Sequence, residues 1–190
     1  MEGVGKMKKI EEDLIDMKNI SELMLDLAYS SVLFQNRELA EEVMELEDKI
    51  NKLYEDISDN VFERGEKSDD IKRGKIALRM ADSIERFADA ALDIADVVLR
   101  DIELHPVVKK SMKESDEVMV RKVIKKGSYL DGKSLEDTKM ETKIGMKIIA
   151  VRRMDSWSYG PGKDLKLKAN DVIFARGPEK SVEVINRWVR

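Results

Sequence analysis

The chain has no cysteine, one histidine and three prolines in 190 residues, and only 5% of it is aromatic. Without cysteine there are no disulfides, no thiol nucleophile and no cysteine-held zinc or iron–sulfur centre. One histidine rules out a two-histidine metal site within one chain and leaves a single possible base for a serine triad. So few aromatic rings argue against a base-stacking nucleic-acid platform, and no nucleic-acid partner is expected. Long apolar runs are also lacking. The stretch around Ala90 and Val97 is broken by Asp93 and Asp96, far short of the roughly 20 apolar residues a membrane-spanning helix needs. The opening run, Met1-Glu2-Gly3-Val4-Gly5-Lys6, carries no apolar signal segment. The expectation is a cytoplasmic, non-enzymatic protein.

Charge and apolar residues are plentiful, at 39% and 42% of the chain, so a core can form beneath a very polar surface. The charge is unevenly spread. Residues 1–110 hold 17 basic and 27 acidic side chains, whereas residues 111–190 hold 18 and 12. Two halves of opposite sign point to two domains with different partners, or with an attraction for each other.

The first half reads as helix. Ile10, Leu14, Met17, Ser21, Met24 and Ala28 recur at steps of four and three, and Leu39, Val43, Leu46, Ile50, Leu53 and Ile57 repeat the pattern. Gly65 reads as a helix stop and Ser68-Asp69-Asp70 as the cap of a third helix. That helix carries Ile71, Met80, Ile84, Phe87, Ala91, Ile94 and Val98 as its apolar stripe and ends near His105-Pro106. Long helices with short connections pack antiparallel, so residues 1–108 predict a three-helix bundle. Residues 109–115 read as a linker.

Residues 116–190 change character and predict a small α+β domain. Strands are expected at 117–125, 146–153, 157–159 and 171–175, with a short helix over 134–142. Gly177-Pro178-Glu179 reads as a break, with Pro178 opening a closing helix that runs to about Trp188.

One cluster stands out. Asp82, Glu85, Asp89, Asp93 and Asp96 fall within an arc of about 80° on one helix face, with Arg79 and Arg86 as the nearest bases. Glu22 and Asp26, four apart on the first helix, form a similar pair. Two such faces can supply hard oxygen ligands to a divalent or transition metal ion, or can simply be solvated.

At these residues a resemblance becomes specific. Asp82-Ser83-Ile84-Glu85-Arg86-Phe87-Ala88-Asp89, continued by Asp93-Ile94-Ala95-Asp96, resembles the acidic signature of PhoU-like proteins, and Glu22…Asp26 resembles its first-helix counterpart. The resemblance implies a metal-binding face formed by Glu22, Asp26, Asp82, Glu85, Asp89 and Asp93. PhoU proteins carry two tandem bundles, whereas this chain has room for one. The second half resembles the TrkA-C domain, through Gly127-Ser128-Tyr129-Leu130-Asp131-Gly132-Lys133-Ser134-Leu135, the strand Ile148-Ile149-Ala150-Val151-Arg152-Arg153, then Pro161, Asn170-Asp171-Val172-Ile173 and Gly177-Pro178-Glu179. TrkA-C relatives dimerise and bind small ligands, in some cases cyclic dinucleotides, in a groove at the dimer interface. That implies a homodimer through the C-terminal domain and a nucleotide-type ligand near Ile148, Ile149, Ala150, Arg152, Arg153 and Pro161. No Gly-x-Gly-x-x-Gly turn is present, so NAD is not expected. Together the two resemblances imply a regulatory subunit of a potassium or other cation transporter, working at the inner membrane face. An alternative is a metal-binding signalling or scaffold protein of phosphate regulation.

Two readings compete locally. Gly127-x-x-x-x-Gly132-Lys133-Ser134 satisfies the P-loop pattern of nucleotide hydrolases, but it also reads as a turn followed by a Ser134 helix cap. His105 reads as a partner for the C-terminal dipole of the third helix.

Overall fold

The structure is a computed structural model and describes residues 2–62, 68–103, 105–107 and 117–190. The chain divides into two compact units, Met1–Glu103 and Leu104–Arg190. The expected helix stop at Gly65 and the linker 109–115 lie outside the described residues, as do the capping side chains expected of Ser68, Asp69 and Asp70.

The first unit consists of α1 (Glu2–Phe34), α2 (Arg37–Phe62) and α3 (Ser68–Leu99), each packed against the other two. Two residues join α1 to α2. Gln35 takes a left-handed backbone (φ 47°), Asn36 N–H returns to the Ser31 carbonyl at 2.8 Å, and the Asn36 side chain accepts from Leu39 N–H at 3.2 Å. One asparagine thus closes the first helix and caps the second, which reverses the chain. The stripes expected on α1 and α2 are the ones buried: Ile10, Met17, Met24 and Ala28 on α1, with Leu39, Val43, Leu46, Ile50 and Ile57 on α2.

The stripe expected on α3 needs correction. Of that stripe Ala91 and Val98 are buried and Ile84 and Ile94 half-buried, but Ile71, Met80 and Phe87 are exposed, and α3 turns inward Gly74, Ala77, Ala81, Ala88 and Ala95 as well. Small side chains allow the helix to approach its neighbours closely. A Cβ on Gly74 would lie 2.8 Å from Val61 Cγ1. Bulk at the expected positions could not be fitted at that separation, so it lies outside the contact. α3 also ends earlier than expected. Asp101 takes φ 54°, Ile102 N–H returns to the Val97 carbonyl and Asp101 N–H to that of Val98, which forms a Schellman stop. His105 therefore lies beyond α3, and its Nδ1 accepts from Val107 N–H at 3.3 Å rather than facing the helix dipole.

The second unit contains β1 (Glu117–Val123), α4 (Leu135–Thr138), α5 (Met140–Ile144), β2 (Lys147–Arg153), β3 (Ser156–Tyr159), β4 (Val172–Pro178), a 3-10 turn (Glu179–Ser181) and α6 (Val182–Trp188). The sheet has the order β1-β4-β2-β3 and every pairing is antiparallel. Its core gathers Val120, Ile124, Leu130, Met146, Ile148, Val151, Leu167, Ile173 and Ile185. A bulge between Ile148 and Ala150 shifts the register of β2, so Ala150 and Val151 are both buried.

Two boundaries differ from expectation. The single helix expected over 134–142 is two short ones, because Lys139 takes φ 49° between them. β4 does not break at Gly177 but continues to Pro178, which is extended (φ −61°, ψ 136°) and precedes the 3-10 turn. Glycine is required here by contact. A Cβ on Gly177 would lie 2.5 Å from the Gly145 carbonyl oxygen and 2.7 Å from Met146 Sδ. Among the described residues, no helix is long and apolar enough to cross a membrane.

Candidate functional site

In the second unit a cavity of about 580 Å³ opens along α4, α5 and the start of β2, with Pro161 on its rim. Met140, Met146 and Ile148 give it apolar lining, and Lys139, Lys147 and Lys163 line it together with Glu136 and Glu141, Lys163 pairing with Glu136 at 3.8 Å. Ser134 caps α4 by accepting from Asp137 N–H at 3.1 Å, and the left-handed Lys139 turns the chain into α5. Of the residues the TrkA-C resemblance implicates, Ile148 and Pro161 line this cavity, whereas Ile149, Ala150, Arg152 and Arg153 do not. The three lysines were not singled out from the sequence. Lys147 lies within the strand expected over 146–153, but nothing in the sequence marks the left-handed turn at Lys139.

The two arginines have partners inside the fold. Arg153 donates from Nε and a terminal nitrogen to both oxygens of Asp171, each at 2.7 Å, and to the Lys166 carbonyl at 2.8 Å. Asp171 is 1% exposed and also accepts from Lys168 N–H at 2.8 Å. This bidentate fork ties β2 to the start of β4 and raises the Arg153 pKa further above its ordinary value. The guanidinium of Arg152 lies 5.4 Å from the Trp157 ring centroid, and Trp157 stacks on Phe174 and Tyr159 at 5.2 and 5.4 Å.

In the first unit the acidic ladder is less isolated than its sequence suggests. Arg86 binds Asp82 and Arg100 binds Asp96, each one turn along α3, and Lys18 binds Glu22 on α1 at 2.7 Å. Arg86 is one of the two bases expected near the ladder, and Arg100 and Lys18 join it, because i,i+4 neighbours share a face. Asp89 and Asp93 are exposed, while Asp26, Asp82 and Glu85 are half-buried. Among the described residues, no three His, Asp or Glu side chains converge as a metal site requires. Burial holds the Glu85 carboxyl above the usual carboxylate range, and repulsion from Asp89 and Asp82 adds to it. The sequence reading missed Asp13, a 1%-exposed carboxylate on the buried side of α1 held by Lys9.

The P-loop reading is overturned. That motif needs a parallel sheet and a substantial helix after the lysine. Here the sheet is wholly antiparallel and the helix after Ser134 has four residues. Gly132 takes φ 82° inside a turn closed by Lys133 N–H to the Leu130 carbonyl at 3.2 Å, and its own N–H goes to the Leu167 carbonyl at 2.9 Å.

Comparison with known proteins agrees with this division. The PhoU domain model matches residues 14–98, and the TrkA-C domain model matches residues 119–190. Two curated relatives from Methanocaldococcus jannaschii are named potassium channel protein 1 and probable potassium channel protein 2. Both are 32% identical, over 39% and 44% of this chain but only 22% and 24% of their own length, so the chain spans less than a quarter of either. Among solved structures, the RCK C domain of the potassium transport protein KtrA with cyclic diadenosine monophosphate is 18% identical. It aligns over 42% of this chain and 91% of its own, with a TM-score of 0.35. S. agalactiae BusR bound to promoter DNA is 14% identical over 96% of each chain, with a TM-score of 0.36. The two domain matches, in order along a three-helix unit and a four-stranded antiparallel sheet, identify the chain as a PhoU domain followed by a TrkA-C domain.

Proposed function

We propose that this chain is a non-enzymatic regulatory protein of a potassium or other cation transport system, and that its TrkA-C domain takes a nucleotide-type effector in the cavity beside Pro161. The cavity itself carries the reading. Its volume of about 580 Å³ is within the range of small-molecule sites, and its apolar lining with Lys139 and Lys147 suits a base and its phosphates, while Glu136 and Glu141 also line it and Lys163 pairs with Glu136. The cation-transport role draws support from the domain order and from the names of the two curated relatives. The effector acts by population shift, favouring whichever arrangement of a C-terminal homodimer it binds more tightly.

Thermal unfolding of the metal-stripped protein, with cyclic diadenosine monophosphate, ATP, Mg²⁺ and Mn²⁺ added separately, tests this. Ligand at about 100 times its dissociation constant adds about 2.7 kcal/mol to stability. A nucleotide shift lost in Lys147→Ala/Lys163→Ala supports the cavity. A metal shift lost in Glu85→Ala/Asp89→Ala transfers the sensing role to the acidic face. No shift with any of the four removes the sensor reading. For the transport role, the expected result is co-purification of a cation transporter from native membranes, and its absence counts against it.

A further inference from the structure

A second cluster of cations lies outside the cavity lining, and neither the cavity nor the acidic face accounts for it. Lys143 Nζ donates to Tyr129 Oη at 3.2 Å, and Lys133 Nζ sits 3.0 Å from the Tyr129 ring centroid. The Tyr129 ring rests against Trp188, with centroids 4.7 Å apart. Lys143 lies 5.7 Å from the centroid of the Tyr129 ring and 6.0 Å from that of Trp188. Two ammonium groups therefore converge on one exposed phenol. Among the described residues, no carboxylate is paired with either lysine.

The platform beneath is tied down. Leu130 N–H goes to the Trp188 carbonyl and Lys125 N–H to that of Val189, which fastens the turn to the end of α6. Asp131 accepts from Gly127 N–H at 2.8 Å and from Ala169 N–H at 3.0 Å. The Gly-x-x-x-x-Gly-Lys-Ser run thus has a use that is not a P-loop: it fixes Lys133 over an aromatic ring. Two cations gathered on one aromatic ring with no carboxylate paired to either suit a single multivalent anion that both can reach. Lysine, as a compact point charge with three donors, suits phosphate. The nearby cations also lower the Tyr129 pKa, Lys143 most through its hydrogen bond.

We propose that Lys133, Lys143 and the Tyr129–Trp188 pair form a binding site for a phosphate oxyanion, separate from the Pro161 cavity. Isothermal titration of the full chain with pyrophosphate at low ionic strength tests it, alongside sedimentation with phosphatidylcholine vesicles with and without phosphatidylglycerol. Saturable pyrophosphate binding is expected. It should weaken about tenfold or more in Lys133→Gln/Lys143→Gln and persist in both Lys168→Gln/Lys180→Gln and Lys147→Ala/Lys163→Ala. Persistence in the last variant separates this site from the proposed effector cavity. Binding only to vesicles containing phosphatidylglycerol, lost in the same Lys133/Lys143 variant, keeps the chemistry and makes a lipid headgroup its source. Absence of binding in both arms, or equal binding by the Lys133/Lys143 variant, overturns the proposal.

Discussion

At the scale of single residues, the firmest polar link in the second unit is the fork between Arg153 and the buried Asp171. Asp171→Asn keeps the shape but removes the charge and one acceptor. The half-buried guanidinium then loses its bidentate partner. The expected cost is about 2–4 kcal/mol, less than for a fully enclosed pair because Arg153 retains some water. Urea denaturation of the variant measures it, and a loss below about 0.5 kcal/mol would show that the fork adds little. The basis for this was only partly legible in the sequence. Arg153 was visible as a polar residue ending a buried strand, but its partner lies 18 positions away. Only the pairing of β2 with β4 brings the two together.

At the scale of elements, α3 shows how a periodic pattern can be read with its inward face displaced: Ala91 and Val98 of the expected stripe are buried, whereas Ile71, Met80 and Phe87 are exposed. Its sequence offers one stripe of large apolar residues and another of glycine and alanine. Close packing against α1 and α2 selects the small one. Ala88→Leu should therefore destabilise by about 1–3 kcal/mol through overpacking. Met80→Gln, on a residue 51% exposed, should stay within about 0.5 kcal/mol of the parent. Denaturant melts of the two variants decide between the faces, and the reverse ranking would restore the large stripe as the core.

The acidic ladder makes a separate prediction on the same helix. Glu85 has a raised carboxyl pKa in the folded state, from burial first and then from Asp89 and Asp82. A raised pKa means that folding favours the protonated form. The associated stability is present below the unfolded value and lost as pH rises through the folded value. Glu85→Gln should therefore be more stable than the parent at pH 7, and the difference should vanish at pH below about 4. Melting curves at the two pH values provide the test. A variant less stable at pH 7 would mean that the ionised Glu85 is doing something favourable, such as holding a cation.

At the scale of the whole molecule, two units of opposite charge balance follow one another along the chain, and each has its own core. A small antiparallel sheet with open edge strands is a natural pairing surface. Sedimentation at micromolar concentration should show a dimer, and it should persist at high salt if apolar burial rather than charge holds it. A monomer under those conditions contradicts pairing through the C-terminal domain.

The sequence by itself determined the element types, their order and the two-unit division, because helical period, strand alternation, caps and turn residues act within a few residues of one another. It also carried the PhoU-like and TrkA-C-like motifs as ordered short runs. Tertiary structure alone decided which face of α3 points inward, that Gly177 lies within β4 rather than after it, and which side chains stand around the cavity. These are outcomes of contact between segments distant in sequence, such as Gly74 against Val61, Gly177 against Gly145 and Arg153 against Asp171. No local propensity encodes them.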